Sequence, residues 1–253
     1  MFYWLLKYVV GGPLMRFAYR PRYQGLENIP AEGPVILASN HLSFIDSLFI
    51  PLLVKRPVIF LGKAEYFDKK RTAWFFKGVN MIPVRRDSGT ASEAALRAGI
   101  GVLNDGGILG IYPEGTRSPD GRLYRGKTGA ARMALTSRCP IIPVCVFGTR
   151  DIQPPGQSSP NLRGRVRVVF GKPLTFEDHF GKERDKYVLR SIADEVMYEI
   201  MSLSGQEYVD EYASKYRARL ATAEADAEEA AGAAPEMDAA PSPSDDAEGR
   251  RER

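Results

Sequence analysis

An α/β fold, with one central sheet covered by helices on both faces, is the class this chain predicts, and two observations predict it. Short apolar runs alternate with longer segments whose apolar residues recur at helical spacing. The chain is also long enough: 253 residues with 44% hydrophobic content can bury a sizeable core, and a domain of about 200 residues is ordinary for this class.

Residues 1–23 open the chain with aromatic and aliphatic bulk interrupted by Lys7, a Gly-Gly-Pro break and Arg16, Arg20 and Arg22. The uninterrupted apolar length is short of the roughly 20 residues a spanning helix needs. There is no basic leader before it and no small-residue cleavage site, as a signal peptide would have. The expectation is a helical segment lying in a membrane interface, with rings at headgroup level and basic residues towards anionic lipid. A helix packed on the domain is the alternative.

Residues 24–220 carry the domain. Pro34–Ala38 reads as a buried strand, and Phe44–Val54 as a helix with Ser43 as its N-cap. Strands follow at Pro57–Leu61, Met81–Val84, Gly107–Tyr112, Pro140–Phe147 and Val166–Phe170. Helices are expected at Ser92–Leu103, Gly129–Ser137 and Asp185–Leu203, the last stopped by Ser204-Gly205. There is no internal repeat. Residues 221–253 are rich in Ala, Glu, Asp, Pro and Ser and are expected to be disordered.

The most informative stretch is Asn40-His41-Leu42-Ser43-Phe44-Ile45-Asp46, where an apolar run gives way to polar residues. Imidazole can take a proton near neutral pH, and a carboxylate on its other nitrogen fixes the tautomer and stabilises the charged ring. Residues five apart on an ideal helix point about 140° away from each other. His41 is therefore expected in a loop, with Asp46 folding back from the first turn of the next helix.

A second signal is Glu114-Gly115-Thr116-Arg117-Ser118, straight after an apolar run. Arginine at a strand end offers a rigid fork of donors to phosphate oxygens. Lys63 and Arg85-Arg86 follow two further runs, so four strand ends, His41 included, could converge on one pocket at the carboxyl edge of a sheet. Gly121–Thr128 fits a nucleotide-binding loop of glycine, four residues, glycine, lysine and threonine. The strand that should lead into such a loop is missing, because Thr116–Asp120 is polar and turn-forming. Lys127 and Arg125 remain as cations beside the site. Cys139 and Cys145 lie in or next to an apolar stretch and read as buried free thiols of a cytosolic protein. No four-ligand metal set exists, and His179 reads as a surface residue.

These blocks resemble, in order and over roughly residues 24 to 175, the glycerolipid acyltransferase family whose bacterial members make phosphatidic acid from lysophosphatidic acid. His41 and Asp46 match its histidine, four variable residues and aspartate; Asn80–Arg86 occupies its second block, Glu114–Ser118 its third, and Ile141-Ile142-Pro143-Val144 its fourth. The second block departs from the family, with Asn80 where glycine is common and Arg85 where aspartate is common, leaving Arg86 as the equivalent arginine. The resemblance implies a mixed, mostly parallel sheet. It also implies acyl transfer from a thioester, acyl-CoA or acyl carrier protein, to the free hydroxyl of 1-acylglycerol 3-phosphate, with no cofactor and no metal. His41 and Asp46 would be catalytic. Arg117, Lys63 and Arg86 would bind substrate phosphate, and Asn40, Glu114, Gly115, Thr116, Ser118 and Pro143 would support them.

Charge agrees with anionic partners. Ten acidic and three basic residues leave the tail from Ala221 at −7, so residues 1–220 hold +11 of an overall +4. Nucleic-acid motifs are absent, which favours a phosphorylated lipid acceptor and an anionic membrane surface. The expected location is the cytoplasmic face of the cell membrane, peripheral or monotopic. A hydrolase would need a nucleophile, and there is no Gly-x-Ser-x-Gly elbow. The same chemistry on another lipid or glycerol-phosphate acceptor, and a non-catalytic lipid-binding module, are the alternatives.

Overall fold

The computed structural model describes residues 2–68, 70–84, 91–157 and 159–232. It divides into two compact units, Met1–Tyr216 and Arg217–Arg253. The strands are β1 (Arg22–Gln24), β2 (Val35–Ser39), β3 (Val58–Lys63), β4 (Ile82–Val84), β5 (Ile108–Ile111), β6 (Leu123–Tyr124), β7 (Ile141–Phe147), β8 (Arg167–Phe170) and β9 (Tyr208–Val209). The α-helices are α1 (Phe2–Leu5), α2 (Gly11–Tyr19), α3 (Asp46–Leu53), α4 (Glu65–Asp68), α5 (Lys70–Gly78), α6 (Ala91–Asn104), α7 (Gly129–Ser137), α8 (Thr149–Ile152), α9 (Lys186–Ser204) and α10 (Ala213–Gly232).

Seven strands form one sheet in the order β1-β8-β7-β2-β5-β3-β4, and β6 pairs with β9 in a separate ribbon. Every neighbouring pair in the large sheet is parallel except β7 with β8. Alternate residues of the central strands enter different cores. Ile36, Ala38, Leu109 and Ile141 pack with residues of α6, α7 and α9. Val35, Leu37, Ile108 and Ile142 pack with residues of α3 and with Tyr19. A strand buried on both faces needs no polar alternation, which is why these segments read as continuous apolar runs.

Topology places the site. The chain crosses from β2 to β3 on one side and from β5 back past β2 to β7 on the other, so connections diverge around the β2–β5 pair. Ligands of open α/β sheets sit outside the carboxyl ends of strands where the order reverses. Here those ends lead into His41 after β2 and Tyr112 after β5.

Helix α9 ends as its sequence requires. Asp185 caps it by accepting from the backbone N–H of Tyr187 and Val188, and Gly205 closes it with φ 69°. Asn80, in the glycine position of the resembled block, has φ 59°, a left-handed conformation that asparagine tolerates better than most residues. Ser43 does not cap α3: the preceding residue is Ile45, with no side-chain cap bond. The hydroxyl of Ser43 instead donates to the carbonyl of Gln153 at 2.8 Å.

The amino-terminal run is helical from Phe2 to Tyr19, with a π-helical stretch at Leu6–Val10. Arg22 and Tyr23, expected to belong with it, instead enter the sheet in β1. Its inner face packs on α3, where Tyr19 meets Phe49 edge-on at 5.6 Å and the Lys7 ammonium donates to the carbonyl of Val54, just past the end of that helix. Burial pushes Lys7 down to about 8, and the nearby Arg16 charge adds to the shift. The outer face is apolar: Val9, Leu14 and Phe17 are 63%, 66% and 80% exposed. Among the described residues no helix is long and apolar enough to cross a membrane. Helix α10 continues to Gly232, into the segment expected to be disordered, and residues 233–253 lie outside the described residues.

Candidate active site

The loop after β2 is held by a side chain that copies a backbone amide. Asn40 leaves the strand, yet its Oδ1 accepts the N–H of Val146 at 2.8 Å and its Nδ2 donates to the carbonyl of the same residue at 3.2 Å. The β2–β7 ladder is thereby extended by one rung. Nδ2 also donates to Oε1 of Gln206 at 2.7 Å, and Gln206 in turn donates to the carbonyl of Gly121 at 2.6 Å.

His41 follows in the loop expected for it, and Asp46 is the first residue of α3, with a side chain fully removed from solvent. His41 Nδ1 and Asp46 Oδ2 are 3.0 Å apart. The same carboxylate oxygen accepts the backbone N–H of Leu42 and of Ser43, each at 2.8 Å. Because a carboxylate only accepts, Nδ1 carries the proton and Nε2 is the unprotonated nitrogen of the neutral ring. The imidazole is 15% exposed. Below it lies Tyr112, its ring parallel within 9° at a centroid distance of 3.7 Å. Phe60 stacks on Tyr112 in turn at 5.3 Å, and the Tyr112 hydroxyl shares a 2.8 Å hydrogen bond with Ser47.

The Glu114–Ser118 turn closes against this loop. The N–H of Gly115 donates to the carbonyl of Tyr112 at 2.9 Å, with Gly115 at φ 75°, a conformation that suits glycine. The N–H of Ser118 donates to the carbonyl of His41 at 2.7 Å, which places the partly buried Arg117 beside the histidine loop. Lys127 is tied to the same turn by its N–H to the carbonyl of Pro113 at 2.8 Å. Its amine lies over Gly115, where an added Cβ would come within 3.1 Å of Nζ. Arg125 pairs with Asp210 at 3.5 Å and lies over the ring of Tyr212. Thr116 is partly exposed in the turn. Lys63 ends β3 in register with Val84, the last residue of β4, while Arg85 and Arg86 lie outside the described residues. Pro143 is buried in β7 opposite Ala38 and supports the sheet.

Glu114 is 1% exposed, and among the described residues neither carboxyl oxygen completes a hydrogen bond. Burial pushes its pKa up to about 8, against the opposing pull of the nearby amides of Tyr124 and His41. Its folded pKa exceeds the unfolded value, so folding favours the protonated form and stability falls as pH rises from about 4.5 through 8. Glu114→Gln is expected to flatten that loss: its melting temperature should drop less between pH 6 and pH 9 than that of the parent. Parallel declines would show that Glu114 is not the group titrating.

An apolar cavity of about 180 Å³ opens beside these residues, lined by Tyr3, Lys7 and Gly12 of the amino-terminal run and by Phe44, Ser47, Phe60 and Phe76 of the domain. Two of its lining residues, Ser47 and Phe60, contact Tyr112, the residue stacked on His41. Among the described residues no cluster of three His, Cys, Asp or Glu forms a metal site. Cys139 and Cys145 are free and buried, and burial pushes both thiols up to about 12. Two residues carried no signal in the sequence. Tyr112 reads as the end of an apolar strand, and Gln206 as part of a polar stop.

The acyltransferase family model matches residues 20–147. The chain is 32% identical to the chloroplastic 1-acyl-sn-glycerol-3-phosphate acyltransferase BAT2 of Brassica napus over 157 residues, 62% of this chain and 45% of that protein. It is 28% identical to the 1-acyl-sn-glycerol-3-phosphate acyltransferase of Bacillus subtilis over 150 residues, 58% of this chain and 70% of the relative. The crystal structure of the 1-acyl-sn-glycerophosphate acyltransferase PlsC from Thermotoga maritima superposes with a TM-score of 0.56 and 26% identity, covering 76% of this chain and 78% of that one. The chain spans under half the length of the relatives from Brassica napus, Arabidopsis thaliana and Chlamydomonas reinhardtii, at 45%, 44% and 47%.

Proposed function

The chain belongs to the acyltransferase family, and on that premise we propose that it transfers a fatty acyl group from an acyl thioester to the free hydroxyl of 1-acylglycerol 3-phosphate, giving phosphatidic acid. The observation that carries this reading is the 3.0 Å contact between His41 Nδ1 and a fully buried Asp46, which puts the basic lone pair of the neutral ring on Nε2, the atom proposed to take the proton of the acceptor hydroxyl. A hydroxyl with a pKa far above 7 attacks a thioester poorly. Removing its proton as the bond forms is worth roughly 10² to 10⁴ in rate. The alkoxide oxygen bonds to the acyl carbon, the carbon–sulfur bond breaks, and the departing thiolate takes the proton held on the imidazolium. Asp46 stabilises that imidazolium, as in triad chemistry with the nucleophile supplied by substrate. The donor is acyl-CoA or acyl carrier protein, and the apolar cavity beside Tyr112 would take an acyl chain.

Arg117, with Lys63 and Arg86, is proposed to hold the acceptor phosphate and so orient its hydroxyl towards His41. Arg117→Ala is expected to raise the KM for a phosphorylated acceptor about tenfold or more with a smaller loss in kcat, and Arg117→Lys to recover only part, because lysine cannot present a fork. Donor KM should stay within about twofold. Equal damage with a phosphate-free acceptor would argue for a structural role instead.

The outer face of Phe2–Tyr19 supports contact with a membrane surface, where a double-chain product and its precursor reside. Replacing the exposed Val9, Leu14 and Phe17 by serine is expected to release the protein from anionic vesicles and to cut activity on bilayer acceptor, while activity on a soluble short-chain acceptor survives. Binding of the full chain should weaken with salt, since basic residues near anionic lipid contribute about 1 kcal/mol each. Aggregation or a much lower melting temperature would assign the segment to core packing alone.

Arg85 in the second block favours another phosphorylated acceptor as the second reading. Incubation of the purified chain with a labelled acyl-CoA or acyl carrier protein and a panel of acceptors, followed by mass identification of products, tests both. No acyl transfer to any acceptor would refute the enzymatic reading.

A further inference from the structure

We propose that Tyr112 is a positioning residue for His41, acting through the face of its ring to fix the plane of the imidazole. The inference rests on the reading of His41 as the base. A hydrogen bond at Nδ1, as to Asp46, fixes one point of an imidazole and does not by itself set the tilt of the ring. The stack with Tyr112, at 3.7 Å and 9°, closes that freedom and keeps Nε2 on one line.

Tyr112 is itself held from two sides. Phe60 stacks on its ring at 5.3 Å, and Ser47 at 2.8 Å holds its hydroxyl. Gly110, in β5, keeps this support in place: a Cβ there would come within 2.4–2.7 Å of the Phe60 ring. The hydroxyl is turned to Ser47 on α3, and burial, with the Asp46 charge adding, holds the phenol well above its ordinary pKa. It stays protonated near neutral pH, so what it offers the site is the ring. An aromatic face beneath an imidazole also favours the charged ring that forms during the reaction.

Two measurements decide this. In kinetics, Tyr112→Leu is expected to lower kcat by about tenfold to a hundredfold, with both substrate KM values within about twofold, since a misplacement near 1 Å carries a loss of that order. Tyr112→Phe should recover most of that loss, because it keeps the ring and gives up only the Ser47 bond. The second measurement needs no turnover. The chain has two histidines, so its proton spectrum holds few imidazole C–H resonances, and His179→Gln identifies those of His41. A ring lying on an aromatic face is shielded, so the His41 signals should be shifted upfield in the parent and in Tyr112→Phe, and lose that shift in Tyr112→Leu.

A folded Tyr112→Leu with unchanged kcat, or His41 signals without an upfield shift, would overturn the proposal. Equal losses in Phe and Leu would do so too, by assigning the effect to the hydroxyl. The underlying reading fails separately: in that case the parent protein transfers no acyl group, or His41→Ala stays active.

Discussion

His41→Ala is expected to lower turnover at least about a hundredfold in a protein that stays folded and still binds acceptor, because the proton acceptor is lost while ground-state contacts remain. The backbone at this position carries its own tie, the 2.7 Å bond from Ser118 N–H to the carbonyl of residue 41, which alanine preserves. Asp46 keeps the N–H groups of Leu42 and Ser43, so the loop retains its shape. Steady-state rates on the purified variant, with its melting curve, check this. Near-parental turnover in a stable variant would remove the general-base mechanism.

The second large effect concerns Asp46, where two substitutions separate charge from structure. In Asp46→Asn the amide oxygen can replace Oδ2 and accept from Leu42, Ser43 and His41, and its NH₂ replaces Oδ1, which has no hydrogen-bond partner among the described residues. Geometry is conserved and the negative charge is gone, so turnover should fall by about a hundredfold or more with little change in melting temperature. Asp46→Leu leaves two buried N–H donors without an acceptor, at about 1–3 kcal/mol each, and should lower the melting temperature as well. Thermal melts set beside rates distinguish the two. Parental turnover in Asp46→Asn would mean that the carboxylate serves only to shape the loop.

Much of this arrangement was legible in residue order, for reasons that can be named. Strands buried on both faces print themselves as apolar runs, which is how β2, β3, β5 and β7 are visible. The five-residue spacing of His41 and Asp46 excludes a shared helical face, and the loop followed from that alone. Helix α9 carries both its cap residues in sequence. The two- and three-residue strands β1, β6 and β9 are too short to show a period. A hydroxyl ahead of a helix has two uses, and that of Ser43 is taken by Gln153, 110 positions away, not by the end of α3. The Tyr112 stack and the Asn40 clamp depend on which strands become neighbours, which no local window contains. At the amino terminus the alternative, a helix packed on the domain, is what the inner face shows, and the outer face is apolar.

The Asn40 clamp has a consequence for the order in which the protein is made. The histidine loop lies near the start of the chain, yet Asn40 is fastened to Val146 and Gln206, 106 and 166 positions later. At about 5–20 residues per second, roughly ten to thirty seconds separate the emergence of Asn40 from that of its last partner on the ribosome. For the first part of that interval β2 waits for β5 and then for β7, its two sheet neighbours, and the apolar helix ahead of it has already been released. Unpaired strand edges and bare apolar surface are what nascent chains aggregate through. A lipid surface near the ribosome would shelter the helix first. The clamp on the histidine loop would be complete only once Gln206 has cleared the exit tunnel, so a translation product shortened before that residue would lack one of the ties on Asn40.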